Sequence, residues 1–325
     1  GTPLAGTTGG YSPYFSPEGG NQYLYFADDN GDVYKVQDNG GTAAQTWKRS
    51  LGFAIRSSVI IVGSKLFLGT NDNKVYCLNV SDGLNCAGWG FSGSIDASIA
   101  GTLSIDARTD VNSGWIGLDN GKMVAFGTGD GTVNTSFQTG AAIKGSPLVD
   151  AGYGGANNNL YITSTDGKLY ARVSANLAGT PSGWVDCLAD AAIEGSPFIQ
   201  YLLTQNGEKF VFFGDDAGKL YKVFASTGAN GQGKCDSLFQ AGGAIKSIPV
   251  VLASGTISGV YEDYAYFGAD DGYVYAVNAK TGQLRNGWPV ATGGPVRSAP
   301  VIDIDNKRLI IGSNDGKTYV LNIGP

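Results

Sequence analysis

The chain has no histidine and a single methionine, Met123. Without histidine there is no Ser-His-Asp or Cys-His nucleophile system, no His-ligated zinc and no haem on an axial histidine. Charge is scarce: Asp, Glu, Lys and Arg make up 15% of the 325 residues, against about 25% in an average globular domain. The balance is acidic, 22 Lys and Arg against 28 Asp and Glu, for a formal net charge of −6. No basic cluster stands out, which argues against nucleic acid as a partner. No apolar run approaches the roughly 18 residues of a membrane helix, so no membrane span is expected. No cationic-then-apolar leader follows Gly1, so the sequence reads as a processed form or a piece of a longer precursor.

Glycine is what the chain has in excess, 51 residues. These have no three-residue period, which excludes collagen. With 42% hydrophobic and 11% aromatic residues, the chain can bury a core.

One pattern recurs seven times: an apolar run, a small residue, an Asp/Asn/Gly turn, then a second apolar run. It reads YLYFADDNGDVYKV from Tyr23, KLFLGTNDNKVYCL from Lys65, GWIGLDNGKMVAF from Gly114 and LYITSTDGKLYARV from Leu160. FVFFGDDAGKLYKV from Phe210, YAYFGADDGYVYAV from Tyr264 and LIIGSNDGKTYVL from Leu309 complete the set. A second element precedes each copy, as in KGSPLV at Lys144 and RSAPVI at Arg297. A third follows most copies and is marked by Trp47, Trp89, Phe137, Trp184 and Trp288. Alternating Tyr/Val/Ile-rich runs joined by Asp-Gly or Asn-Gly turns are hairpins, and no helical period is evident. Four short strands per unit of 40–50 residues predict a single all-β domain over residues 1–325, a seven-bladed β-propeller of four-stranded antiparallel blades. The last copy ends without an outer strand. Residues 2–8 stand where one belongs, so the N-terminal strand is expected to join the C-terminal blade and close the ring. The rival is a chain cut from a longer protein.

The blade consensus, G-x-x-x-S-P-x-V, then Y-x-G-S-x-D-G-K-L-Y-A-L-N-A-x-T-G, then Trp, resembles the pyrroloquinoline-quinone-like propeller repeat. DGKLYA at 166–171, NAKTG at 278–282 and SAPVI at 298–302 carry the likeness, and it covers essentially the whole chain. Residues 287–303 also resemble bacterial secreted surface propellers. The resemblance implies one of several roles. Quinoprotein dehydrogenases are oxidoreductases. Cofactor-free relatives serve as scaffolds, such as the lipoprotein of the outer-membrane assembly machine, or form part of surface or pilus-tip adhesins. Against the dehydrogenase pattern, this chain has seven copies rather than eight, no adjacent cysteines and no clear Glu/Asn/Asp set for the activating calcium.

Aligning the strand starts puts Gly10, Arg56, Asp96, Lys144, Glu194, Lys246 and Arg297 at one equivalent position. Six of the seven are charged, on what should be the innermost strand at the mouth of a central channel. One reading is a small polar or anionic ligand held by Arg and Lys donors. The other, which is favoured, is a belt of ion pairs that fixes blade register. The Asp-rich hairpin turns read as local caps rather than metal ligands. Calcium has its best candidate at Asp303 and Asp305, where carboxylates alternate in a loop. Cys77 and Cys86 fall directly opposite each other across a hairpin and are expected to form a disulfide. Cys187 and Cys235 fall at opposite ends of their outer strands, which weighs against a bond between them. One disulfide already implies an oxidising compartment. The Trp residues read as packing between blades, with a carbohydrate platform as the alternative. Asn79 and Asn134 begin glycosylation sequons.

The expectation is therefore a non-catalytic, exported scaffold or surface-binding module, periplasmic, extracellular or at the cell surface. It binds a protein partner or surface polymer through the loops at 106–114, 150–159, 200–209 and 252–263. No resident cofactor is expected, with calcium the open alternative. Pyrroloquinoline quinone belongs to the alternative reading, a sugar or alcohol dehydrogenase using the funnel. A structural module of a larger surface or filament protein is the third.

Overall fold

The computed structural model describes residues 13–55, 57–90, 95–99, 101–106, 113–150, 159–201 and 209–325. All regular elements among them are strands. They form seven antiparallel sheets in chain order, each joining neighbours in sequence. The succession defines an all-β, seven-bladed β-propeller. The chain divides into two compact units, Gly1–Val149 with Ala175–Ala178, and Asp150–Ser174 with Gly179–Pro325.

In the first unit, the first sheet pairs Tyr14–Glu18, Asn21–Ala27, Asp32–Asp38 and Ala43–Ser50. The second pairs Ile60–Val62, Lys65–Thr70 and Lys74–Asn79, and the third Ser104–Asp106, Ser113–Gly117, Lys122–Gly127 and Val133–Gln138. The second sheet has three named strands, and the Cys86 N–H, donating to the Cys77 carbonyl at 3.0 Å, begins the outer position. The Cys77–Cys86 disulfide spans this hairpin, with α-carbons 5.5 Å apart.

In the second unit, the fourth sheet carries Asn159–Thr163, Lys168–Val173 and Cys187–Leu188 after Leu148–Asp150, where the units divide. The fifth holds Phe198–Tyr201, Lys209–Gly214, Lys219–Phe224 and Ser237–Gln240. The sixth holds Val250–Leu252, Tyr264–Gly268, Tyr273–Asn278 and Val290–Ala291. The seventh holds Val301–Asp303, Arg308–Gly312 and Thr318–Asn322. Among the described residues Thr318–Asn322 is the last strand of its sheet, and the register partners Val301, Ile310 and Val320 form a row whose two ends are 61% and 54% exposed. The expected closure by residues 2–8 lies outside the described residues.

The glycine-rich repeat has a direct cause in the hairpins joining the second and third strands. Their fourth turn residue takes positive φ in every sheet: Gly31, Gly121, Gly167, Gly218, Gly272 and Gly316, and Asn73 where glycine is replaced. Left-handed backbone costs glycine nothing and asparagine little. Packing uses a second glycine. Gly69, Gly117, Gly214 and Gly268, near or at the end of a second strand, leave room for Ile99, Ile143, Ile245 and Val296 of the following repeat. Those four side chains are buried, at most 3% exposed.

One expectation about the cysteines is overturned: Cys187 and Cys235 are bonded, with α-carbons 5.0 Å apart. Cys235 does not lie on its own outer strand, which begins at Ser237. It lies in a segment that leaves the fifth sheet and pairs in parallel with the fourth, Leu188 against Lys234. Aligning repeats places each residue within its own blade and does not reveal a segment that crosses to the next.

Candidate functional site

The turn aspartates are local caps. Asp28 accepts the backbone N–H of Asn30 and Asp32, both at 3.0 Å, and the Tyr34 hydroxyl at 3.2 Å. The same Tyr-to-Asp bond recurs as Tyr76–Asp72 at 2.9 Å, Tyr170–Asp166 at 2.5 Å, Tyr221–Asp215 at 2.8 Å, Tyr275–Asp271 at 2.5 Å and Tyr319–Asp315 at 2.6 Å. The third sheet has Met123 in place of the tyrosine. Three of these hydroxyls also accept a backbone N–H from the connection that leads into their own sheet: Tyr221 from Asp190, Tyr275 from Gly242 and Tyr319 from Gly293. The tyrosine thus ties its turn to the segment that arrives from the preceding blade. Burial, then the bond to Asp72, pushes the Tyr76 phenol up to about 12. Burial, then the bond to Asp271, does the same for Tyr275. Burial raises Asp72, but hydrogen bonds from Thr70, Tyr76 and Lys74 outweigh it and leave the carboxyl below its ordinary value.

The charged position found by aligning repeats is paired in both units. In the first, Asp96 accepts Asn120 Nδ2 at 3.2 Å and lies 3.6 Å from Lys122 Nζ. Lys144 is exposed and engaged. Arg56 lies outside the described residues. In the second unit, Lys246 Nζ lies 2.9 Å from Glu194 and 3.6 Å from Asp216. Arg297 makes a two-point contact with Asp270, at 2.7 and 3.0 Å. The bond to Glu194 leads the effects that raise Lys246 above the ordinary lysine value. The bond to Asp270 does so for Arg297, with the charges of Glu194 and Asp216 adding to it. Five groups thus share one local field, three acids and two bases.

Sequence reasoning found the bases and Glu194 but missed Asp216 and Asp270. Both sit in hairpin turns beside the capping aspartate. The available signal was the doublet Asp215–Asp216 and Asp270–Asp271, in which only one carboxylate is needed for the cap.

At the calcium candidate, Asp303 accepts the backbone N–H of Asn306 at 3.1 Å and its side-chain amide at 2.7 Å. Those bonds lead the causes of a lowered carboxyl pKa at Asp303. Among the described residues no group of three or more His, Cys, Asp or Glu gathers at metal-binding distance.

The tryptophans are packed. Trp47 donates its indole N–H to the Val80 carbonyl at 3.0 Å, and its ring lies 6.0 Å from that of Tyr25. Trp89, Trp184 and Trp288 meet Phe67, Tyr161 and Tyr266 at 5.3, 5.4 and 5.6 Å, edge to face.

Of the four loops singled out, residues 107–112, 151–158 and 202–208 lie outside the described residues. The fourth, between Leu252 and Tyr264, is built. The Gly255 N–H donates to the Val260 carbonyl at 2.8 Å, and Ser254 N–H is received by the Asp263 carboxylate at 2.5 Å. Ile257 and Val260 are buried in a core with Tyr266, Leu309 and Ile323. Between these anchors Tyr261 is 85% exposed, more than any other large hydrophobic residue among those described. Beside it, Glu262 accepts the Tyr264 hydroxyl at 2.7 Å and Asn278 Nδ2 at 2.9 Å.

The architecture places the chain in the class of seven-bladed propellers. Solved structures are similar to it in fold at low identity. BamB from Moraxella catarrhalis matches with a TM-score of 0.62 and 18% identity, over 94% of this chain and 83% of that one. BBS1N, in its complex with ARL6DN, matches with a TM-score of 0.64 and 14% identity, over 97% and 91%. The computationally designed Ika8 protein matches with a TM-score of 0.60 and 14% identity, over 98% of both chains. No protein-family model and no curated relative matches the sequence.

Proposed function

We propose that this propeller is a non-catalytic, exported binding scaffold that presents loops to a protein partner or surface polymer. The observation that carries the reading is the loop between Leu252 and Tyr264. It is pinned by Ile257 and Val260, yet it holds the Tyr261 ring in solvent. An aromatic side chain on a rigid loop supplies contact area at low entropic cost, and tyrosine is enriched among residues that dominate binding energy. Fold alone does not decide function, but one structural neighbour, BBS1N, is itself in complex with another protein, ARL6DN.

Export is supported by two disulfides whose cysteines are all buried, since such bonds persist in oxidising compartments. The belt of charges fits a register device better than a ligand site, because Lys246 and Arg297 each already hold an acid of the preceding repeat. The likeness to the quinone-type repeat is then one of architecture. The test is purification of the chain from its native source beside a Tyr261→Ala variant, with quinone and calcium added to the purified protein. The scaffold reading expects a partner that depends on Tyr261, and no quinone-dependent dye reduction.

A further inference from the structure

The outer strand of the fourth sheet, Cys187–Leu188, is two residues long. Residues 225–236, which follow the third strand of the fifth sheet, run beside it in the same direction. The Val185 N–H donates to the Thr227 carbonyl and the Ala229 N–H to the Val185 carbonyl, both at 2.9 Å. Further along, the Leu188 N–H donates to Gly233 at 3.1 Å and the Cys235 N–H to Leu188 at 3.0 Å. Val185 pairs in parallel with Gly228, and Leu188 with Lys234. Between those pairs the crossing segment is the longer of the two, and Asn230 folds the excess into a turn. Its carbonyl accepts the Gly233 N–H, and its side chain accepts those of Gln232 and Lys234. The Tyr161 hydroxyl holds the start of the segment through the Ala225 carbonyl at 2.7 Å. The Cys187–Cys235 disulfide holds its end.

We propose that residues 225–236 are an edge clasp. They occupy the open edge of the fourth sheet as an added strand, and the disulfide locks them there so that the edge is denied to other strands, those of a second copy included. An open sheet edge is a template for pairing with another chain, and adding a strand is the direct way to remove it. The unequal lengths make the pairing irregular, so four hydrogen bonds need the covalent lock to stay closed. The edge is also apolar: Val185 and Leu188 keep exposed side chains, so releasing the clasp leaves a sticky strand.

The experiment is hydrogen exchange on the full chain with the Cys187→Ser/Cys235→Ser double variant, together with light scattering. Amides of 185–188 and 229–235 lose protection by about tenfold or more, those of Tyr264–Gly268 keep theirs, and the variant self-associates where the native chain does not. A second variant, Gly228→Val, keeps the cystine and tests the pairing if the double variant fails to fold. A β-carbon there would sit 2.3 Å from the Val185 carbonyl oxygen and 2.8 Å from the Trp184 ring. It opens the Val185 end while the Cys235 end stays protected. Full protection in both variants overturns the clasp. So does loss spread through the sixth sheet, which would make the disulfide a general staple. A released clasp with no change in association overturns the denial of the edge.

Discussion

The contact between Gly69 and Ile99 can be perturbed from both sides. Ile99 is 3% exposed and packs with Phe67, Val75, Ile116 and Leu118. Replacing Ile99 with Ala removes three buried carbons at about 0.8 kcal/mol each. The cavity left behind brings the loss to about 3–4 kcal/mol. Replacing Gly69 with Ala adds a β-carbon 2.9 Å from Ile99 Cδ1 and 3.0 Å from its Cγ2. That overpacking costs about 1–3 kcal/mol. In the double variant the new methyl group moves into space that the isoleucine has vacated. The two losses therefore fall short of additivity by about 1–2 kcal/mol. Urea unfolding of the four chains, followed by tryptophan fluorescence, measures the coupling. Additivity within about 0.5 kcal/mol would refute the claim that the small residue at this strand end exists to seat the next repeat's isoleucine.

Two further outcomes follow from the turns and the belt. Lys246→Met leaves Glu194 and Asp216 without their shared cation and lowers stability by about 1–2 kcal/mol, since the pair is only partly buried. Inorganic phosphate, as a probe anion, shifts the melting of neither chain; a phosphate-induced shift in the native chain that is lost in Lys246→Met would favour the ligand reading. Tyr76 and Tyr275 titrate near 12 in the folded chain and near 10 unfolded. The folded state holds the proton more tightly, so their contribution is complete below about pH 10 and is lost as pH rises to about 12. Tyr275→Phe flattens that fall; an unchanged slope in alkaline urea titrations would remove Tyr275 from the account.

The repeat was legible because hairpins are local. Asp/Asn-Gly turns between alternating runs, as at Asp166-Gly167, carry their own geometry, and the positive φ of Gly167 is what that pair requires. The Cys77–Cys86 bond was legible for the same reason, since the two cysteines stand nine positions apart in one hairpin whose turn fixes their register. The belt position was legible from its recurrence, but its partners were not. Asp215 and Asp216 look alike in sequence. Their roles separate only when Tyr221 claims one and Lys246 of the next repeat approaches the other. In the sixth sheet the order is reversed: Asp271 caps Tyr275, and Asp270 receives Arg297. The Cys187–Cys235 bond was illegible because it depends on a segment crossing between sheets, a tertiary event without a local signature.

The central claim is that this propeller works by presenting a built loop to a partner. The most direct measurement is quantitative co-purification from the native source of the intact chain and of Tyr261→Ala, matched for folding by hydrogen exchange. The account predicts a stoichiometric partner with the intact chain, reduced at least about tenfold, or 1.4 kcal/mol, by the single substitution. A chain that comes through alone, takes up pyrroloquinoline quinone with calcium and reduces dye equally well with Ala at 261 would contradict it.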